Sequence, residues 1–205
     1  MNRLLFNALF ALILIVSVSD ALCAPDKLGI CITCHGVDGR GNEAVGAPKI
    51  AGMEDWYLRD QLVSFKRHYR GAHASDGYGR EMKAMADFLT ESETEELIKW
   101  IGEWPIDITP ATVSGDPERG KELYAPCATC HGANGQGNAI LKSPALAGQN
   151  DWYLLRQLHN FKTDRRGAHP DDRYGQQMKS MMNTLPDDDA FRDVVSFVQS
   201  LPMPD

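Results

Sequence analysis

The sequence predicts an all-α protein built from two copies of one module. Three observations carry this. The first is a repeat. Cys127 lies 127 − 31 = 96 positions after Cys31, and the same offset aligns residues 31–89 with 127–185 without a gap, at about half identity. The second is periodicity: in each copy apolar residues recur at three- and four-residue intervals, and no alternating apolar run is long enough for a strand. The third is a motif at the head of each copy, Cys31-Ile32-Thr33-Cys34-His35 and Cys127-Ala128-Thr129-Cys130-His131. Its two thiols and imidazole, at i, i+3 and i+4, share one face of a helical turn.

Composition narrows the class. A chain of 205 residues holds one ordinary domain or two small ones, and small domains often need a staple. A net charge of −7 argues against a broad nucleic-acid-binding surface. Residues 1–23 read as a secretory signal peptide. Arg3 supplies the positive start, Leu4 to Val18 the apolar core, and Ser19, Ala21 and Ala24 the small residues around a cleavage site. Cleavage after Ala21, Cys23 or Ala24 fits equally. The rival reading is an uncleaved anchor, for which the apolar core is short. Four of the five cysteines belong to the two motifs, and Cys23 falls in the signal region. The expected location is the periplasm.

The chain divides into a first domain, 24–104, a Pro-rich linker, 105–115, and a second domain, 116–205. Each copy begins with its motif and continues into a Gly-rich loop, Gly36 to Gly52 and Gly132 to Gly148, where regular structure is disfavoured. A helix follows: Leu58, Leu62, Phe65 and Tyr69 mark it in the first copy, ending at Gly71, and Leu154, Leu158 and Phe161 in the second, before Gly167. A polar loop with His73 or His169 leads to a Met-rich stretch. Each copy closes with another helix. Thr90-Glu91-Ser92-Glu93 reads as a capping box ahead of Leu97, Ile98 and Ile101. Asp187, Asp188 and Asp189 favour a helix start ahead of Phe191, Val194, Val195 and Val198. Pro105, Pro110 and Pro117 stiffen the connection, and Pro117 suits the first turn of a helix running to Cys127. If cleavage falls near Cys23, only about eight residues precede Cys31, too few for a full helix, which predicts a truncated N-terminal helix in the first module.

C-x-x-C-H is the attachment signature of c-type haem. Both thiols add to the porphyrin vinyl groups, and the histidine lies under the iron. Cys31, Cys34, Cys127 and Cys130 are therefore the attachment residues, with His35 and His131 as axial ligands. Zinc or dithiol chemistry is the competing reading. A four-cysteine zinc site would have to bridge both copies and would leave both histidines without a role. Each iron then needs a sixth ligand or stays open. Met82 lies 82 − 35 = 47 positions after His35, and Met178 lies 178 − 131 = 47 after His131. A thioether suits electron transfer. Met85 and Met181 repeat too, so spacing leaves two candidates per module. Met53 and Met182 read as core fillers. His73 and His169 read as turn-supporting residues, and His68 and His159 as surface residues. Tyr57, Lys66, Arg70 and Tyr78, with Tyr153, Lys162, Arg166 and Tyr174, are candidates for haem propionate contacts, though packing explains them as well.

The pattern resembles the di-haem cytochromes c of the cytochrome c4 family, two class I cytochrome c modules in tandem, each wrapped around one covalently attached haem c. The resemblance rests on CITCHG and CATCHG, Pro-x-Ile-Ala-Gly and Pro-x-Leu-Ala-Gly, Trp-Tyr-Leu-x-x-Gln-Leu, and the Met ahead of a final helix, and it runs from about residue 27 to the C-terminus. It implies Met82 and Met178 as the axial sulfurs, each eight positions before the residue opening the last helix, Thr90 and Pro186. It implies that the carbonyls of Pro48 and Pro144 accept the second N–H of the axial histidines. It also implies a non-enzymatic carrier of single electrons between membrane respiratory complexes, towards a terminal haem–copper oxidase, with no small-molecule substrate. A di-haem redox enzyme, a peroxidase or sulfur-compound dehydrogenase, is the alternative. It needs one open iron, which the matched methionines argue against. A sensory haem module is a third and weaker reading.

Overall fold

The computed structural model describes residues 24–203, so the expected signal segment and Cys23 lie outside the described residues. Eight α-helices follow in order: α1 Leu28–His35, α2 Asp55–Lys66, α3 Gly77–Asp87, α4 Glu91–Gly102, α5 Pro117–His131, α6 Asp151–Lys162, α7 Arg173–Met181 and α8 Asp188–Gln199. Short 3-10 turns lie at Glu43–Val45 and Met182–Thr184. Among the described residues there is no strand. Only the isolated bridges Asn42–Ala47 and Asn138–Ser143 close the two Gly-rich loops. The all-α reading holds, and the offset that aligns the sequence also aligns α2 with α6 and the start of α3 with α7. Helix α8 begins one residue later than that offset places it, so the residue opening it is Asp187 and not Pro186.

The final helices start as their sequences direct. Thr90 accepts from the Glu93 N–H, and Glu93 accepts in return from the Thr90 N–H, a complete capping box. Asp187 accepts from the Ala190 N–H at 2.8 Å. The α4 face of Leu97, Ile98 and Ile101 is buried, as is the α8 face of Phe191, Val194, Val195 and Val198. Helix α2 differs from expectation. It stops at Lys66, short of Tyr69, because His68 adopts a left-handed conformation at φ 62°. Asp164 does the same after α6 at φ 61°. Gly71 then lets the chain turn back: a Cβ there would lie 2.2 Å from the Gly79 carbonyl oxygen. Gly167 repeats this against Gly175 at 2.3 Å, which fixes α3 and α7 close to α2 and α6.

The N-terminal helices are unequal, and the helix of the first module is the shorter, as expected. Helix α5 has 15 residues and packs along α8. Gly120 makes this crossing possible, since a Cβ there would stand 2.0 Å from the Asp193 carbonyl oxygen. Helix α1 has 8 residues, and α4 packs chiefly on α2 instead. Residues 105–116 contain no helix or strand. This stretch is strapped down. The buried Asp151 carboxylate accepts from Thr112 and Val113, Lys49 Nζ donates to the Asp107 carbonyl, and Gln199 donates to the Thr109 carbonyl.

Candidate functional site: two matched histidine turns across a module interface

Each motif closes a helix. Cys31, Cys34 and His35 end α1, and Cys127, Cys130 and His131 end α5. Gly36 and Gly132 follow with φ of 85° and 81° and turn the chain away at once. No disulfide joins these cysteines, and the first of each pair is half-buried and the second exposed. Burial raises the pKa of Cys31 and Cys127 above the ordinary thiol value.

Both histidines are buried. His35 Nδ1 lies 2.7 Å from the Pro48 carbonyl oxygen, and His131 Nδ1 lies 2.8 Å from that of Pro144. A carbonyl only accepts, so Nδ1 carries the proton in both rings and Nε2 keeps its lone pair. Burial pushes both imidazoles below the ordinary histidine pKa, and the proline carbonyls partly offset this. A neutral imidazole with a free Nε2 and a carbonyl behind it is the form that ligates a metal. The two proline bonds that the resemblance implies are thus present.

Met82 and Met85 lie on α3, and Met178 and Met181 on α7. Met82, Met178 and Met181 are half-buried, and Met85 is 38% exposed. Met182 is buried, and Met53 packs against the cluster of Ile50, Leu58, Ile98 and Ile101, as core residues do. His73 and His169 each accept, through Nδ1, the N–H two residues on, at 3.2 Å, which gives them the turn-supporting role. Lys66 and Lys162 donate to the carbonyls of Leu89 and Met182 and so tie the helices within each module. Tyr78 and Tyr174 are exposed.

The modules meet through bonds that repeat about a pseudo-twofold relation. Asn150 accepts from the Lys49 N–H at 2.6 Å, and at the equivalent positions Glu54 accepts from the Ala145 N–H at 3.1 Å. Arg70 donates to the Tyr153 hydroxyl at 3.3 Å, and Arg166 to the Tyr57 hydroxyl at 3.2 Å. Both guanidinium groups also reach Gln61 and Gln157. At the rim, Lys142 pairs with Asp60 and Arg156 donates to the Gly46 carbonyl. Burial pushes the Tyr153 phenol up, but Arg70 and Arg166 outweigh it and leave its pKa below the ordinary value. Sequence reasoning does not single out Glu54, Asn150, Lys49, Gln61 or Gln157 as site residues. Residues 53–54 and 149–150 differ between the copies just before the recurring Asp-Trp-Tyr-Leu, and that lapse in the repeat is the available signal.

The residues present fit a covalently attached haem. Two thiols and a neutral imidazole share one helix end. The Nε1–H of Trp56 is buried without a partner among the described residues. Arg70 and Arg166 are part-buried cations that make no ion pair among the described residues, which suits the carboxylates of a haem.

The comparisons with known proteins agree. The cytochrome c family model matches residues 29–104 and again 117–202. Cytochrome c4 of Azotobacter vinelandii is 30% identical over 200 residues, 90% of each chain. A thiosulfate dehydrogenase electron acceptor of Thiomonas intermedia (strain K12) is 29% identical over 178 residues, 83% of this chain and 80% of the relative. Among solved structures, reduced recombinant cytochrome c4 from Pseudomonas stutzeri matches with a TM-score of 0.68 at 26% identity, covering 87% of this chain and 97% of that one. A doubled C-x-x-C-H module, an all-helical fold and relatives of the same two-module length converge on one conclusion: the chain belongs to the cytochrome c family, as a di-haem electron-transfer cytochrome of the cytochrome c4 type that carries two covalently bound haem c groups.

Proposed function

We propose that Cys31 and Cys34 attach the first haem and Cys127 and Cys130 the second, with His35 and Met82, and His131 and Met178, as the axial pairs. The domains run 24–104 and 116–205 about the 105–115 linker. The observation that carries this is the duplicated turn in which each motif histidine gives its Nδ1 proton to a proline carbonyl, at 2.7 and 2.8 Å. Bound haem supplies a one-electron Fe(III)/Fe(II) couple. The chain's residues do the rest. The proline carbonyls hold each ring with Nε2 free, α3 and α7 bring the methionines, and Arg70 and Arg166 offset propionate charge. Two fixed protein ligands leave little to rearrange when an electron arrives. In this reading the protein is exported to the periplasm. There it passes single electrons between membrane respiratory complexes, towards a haem–copper oxidase, as the family resemblance implies. No helix among the described residues is long and apolar enough to cross a membrane.

The name of the Thiomonas relative favours one second reading, in which the electron donor is a thiosulfate-oxidising enzyme. That would make the chain an enzyme's acceptor. A pyridine haemochrome assay on exported protein, with an electron paramagnetic resonance spectrum of the oxidised form, tests the site. Two c-type haems, both low-spin, are expected. A high-spin haem in the wild-type protein would favour the enzyme alternative. Mixing with a thiosulfate dehydrogenase and thiosulfate, against mixing with a reduced quinol-oxidising complex, separates the two donors.

A further inference from the structure

The Pro48–Lys49 and Pro144–Ala145 peptide groups each make two bonds at once. The carbonyl end accepts from the motif histidine of its own module. The N–H end of the same group donates to a side chain of the other module. A peptide group is conjugated, so an acceptor on its N–H increases the negative charge on its oxygen. Hydrogen bonds in such a chain strengthen one another. The relay runs from His35 through one peptide to Asn150, and from His131 through one peptide to Glu54.

The two relays end differently. Asn150 offers a neutral amide oxygen, and Glu54 offers a carboxylate. Bonds to ionised acceptors are roughly twice as strong as neutral ones. The Glu54 bond is the longer, 3.1 Å against 2.6 Å, but the full charge of its carboxylate outweighs the added length. The Pro144 carbonyl is therefore the more strongly polarised acceptor, and it makes His131 the more electron-donating ligand. Stronger donation to iron favours the ferric state and lowers the potential. A further difference has the same sign. Lys49, 3% exposed, puts its ammonium against the carbonyls of Asp107 and Gly148 beside the first relay, and the matching residue in the second is Ala145.

The backbone holds these two side chains in matching positions. Glu54 and Asn150 are the N-cap residues of α2 and α6, with φ/ψ of −61°/132° and −58°/126°. Neither side chain caps its own helix. Asparagine is among the best N-caps, and Asn150 forgoes that bond to reach Lys49. The same backbone device thus carries a different chemical group in each module.

We propose that Glu54 and Asn150 are positioning residues that set the two haem potentials apart, each acting across the module interface on the haem of the other module. This rests on His35 and His131 being the axial ligands. The test is spectroelectrochemical titration of the di-haem protein and of Glu54→Gln, Asn150→Asp and Asp60→Asn, with each haem assigned by the NMR signals of its ligands. Glu54→Gln is expected to raise the potential of the second haem and leave the first in place. Its Ala145 amide signal in the reduced protein should move upfield. Asn150→Asp is expected to lower the potential of the first haem and move the Lys49 amide downfield, which keeps the proposal testable should Glu54→Gln fail to fold. Asp60→Asn removes a carboxylate from the same helix that has no peptide in line with a histidine, and it should move the second potential much less. An unchanged second potential in Glu54→Gln with native ligation, or an equal shift in Asp60→Asn, overturns the relay. A motif-histidine variant, His131→Ala, that kept a native low-spin second haem would overturn instead the ligand reading beneath it.

Discussion

The two modules share a site and differ in what supports it. In the second, α5 is 15 residues long and crosses α8 at Gly120, and Tyr124, Leu185, Ala190, Phe191, Val194 and Val198 form its buried cluster. In the first, α1 has 8 residues, and the matching cluster is Ile50, Leu58, Ile98 and Ile101. Yet the histidine–proline bond is 2.7 Å in one and 2.8 Å in the other. The long helix is therefore not what aims the histidine. The Gly-rich loop is, since Gly41 and Gly137 donate back to the His35 and His131 carbonyls and the Asn42–Ala47 and Asn138–Ser143 bridges close each loop. Helix pairing supplies stability, and the loop supplies geometry.

This division can be broken in a graded way, by following unfolding of the di-haem protein in denaturant with one transition fitted per module, as a two-domain chain requires. Phe191→Ala should have the largest effect, about 3–5 kcal/mol from the second module, with the first transition unmoved. Next comes Gly120→Val. A side chain cannot fit against the Asp193 carbonyl, and the crowding should cost the second module about 1–3 kcal/mol. If the second transition survives Gly120→Val unchanged, the helix crossing is not the source of the difference. Hydrogen exchange sharpens the same point, because amides of α1 should exchange faster than those of α5. Thr90→Ala and Asp187→Ala each remove an N-cap, so about 1 kcal/mol should be lost from either module equally. Glu95→Gln, which breaks an exposed pair with Arg59, should change stability by no more than about 0.5 kcal/mol.

Much of this is legible in the chain. The 96-residue offset exposes the duplication, and the capping box at Thr90 is readable from spacing. Such features are local, and local chemistry decides them. The end of α2 is not legible, because a histidine at φ 62° carries no glycine or proline to announce the turn. The module interface is not legible either. Glu54 and Ala145 are 91 positions apart, and nothing in one copy alone marks them as partners. Recurrence marks Arg70 and Arg166 as propionate candidates, but their joint cluster with Gln61, Gln157 and the opposite tyrosines comes only from the fold.

The central claim is that each module holds one haem between a motif histidine and the methionine 47 positions on. The most direct measurement is the red charge-transfer absorbance of the oxidised protein, which reports sulfur bound to ferric haem. Met82→Ala and Met178→Ala should each remove part of that band, and together all of it, while Met85→Ala and Met181→Ala leave it intact. Loss of the band in Met85→Ala or Met181→Ala, with Met82→Ala and Met178→Ala unaffected, would contradict the assignment.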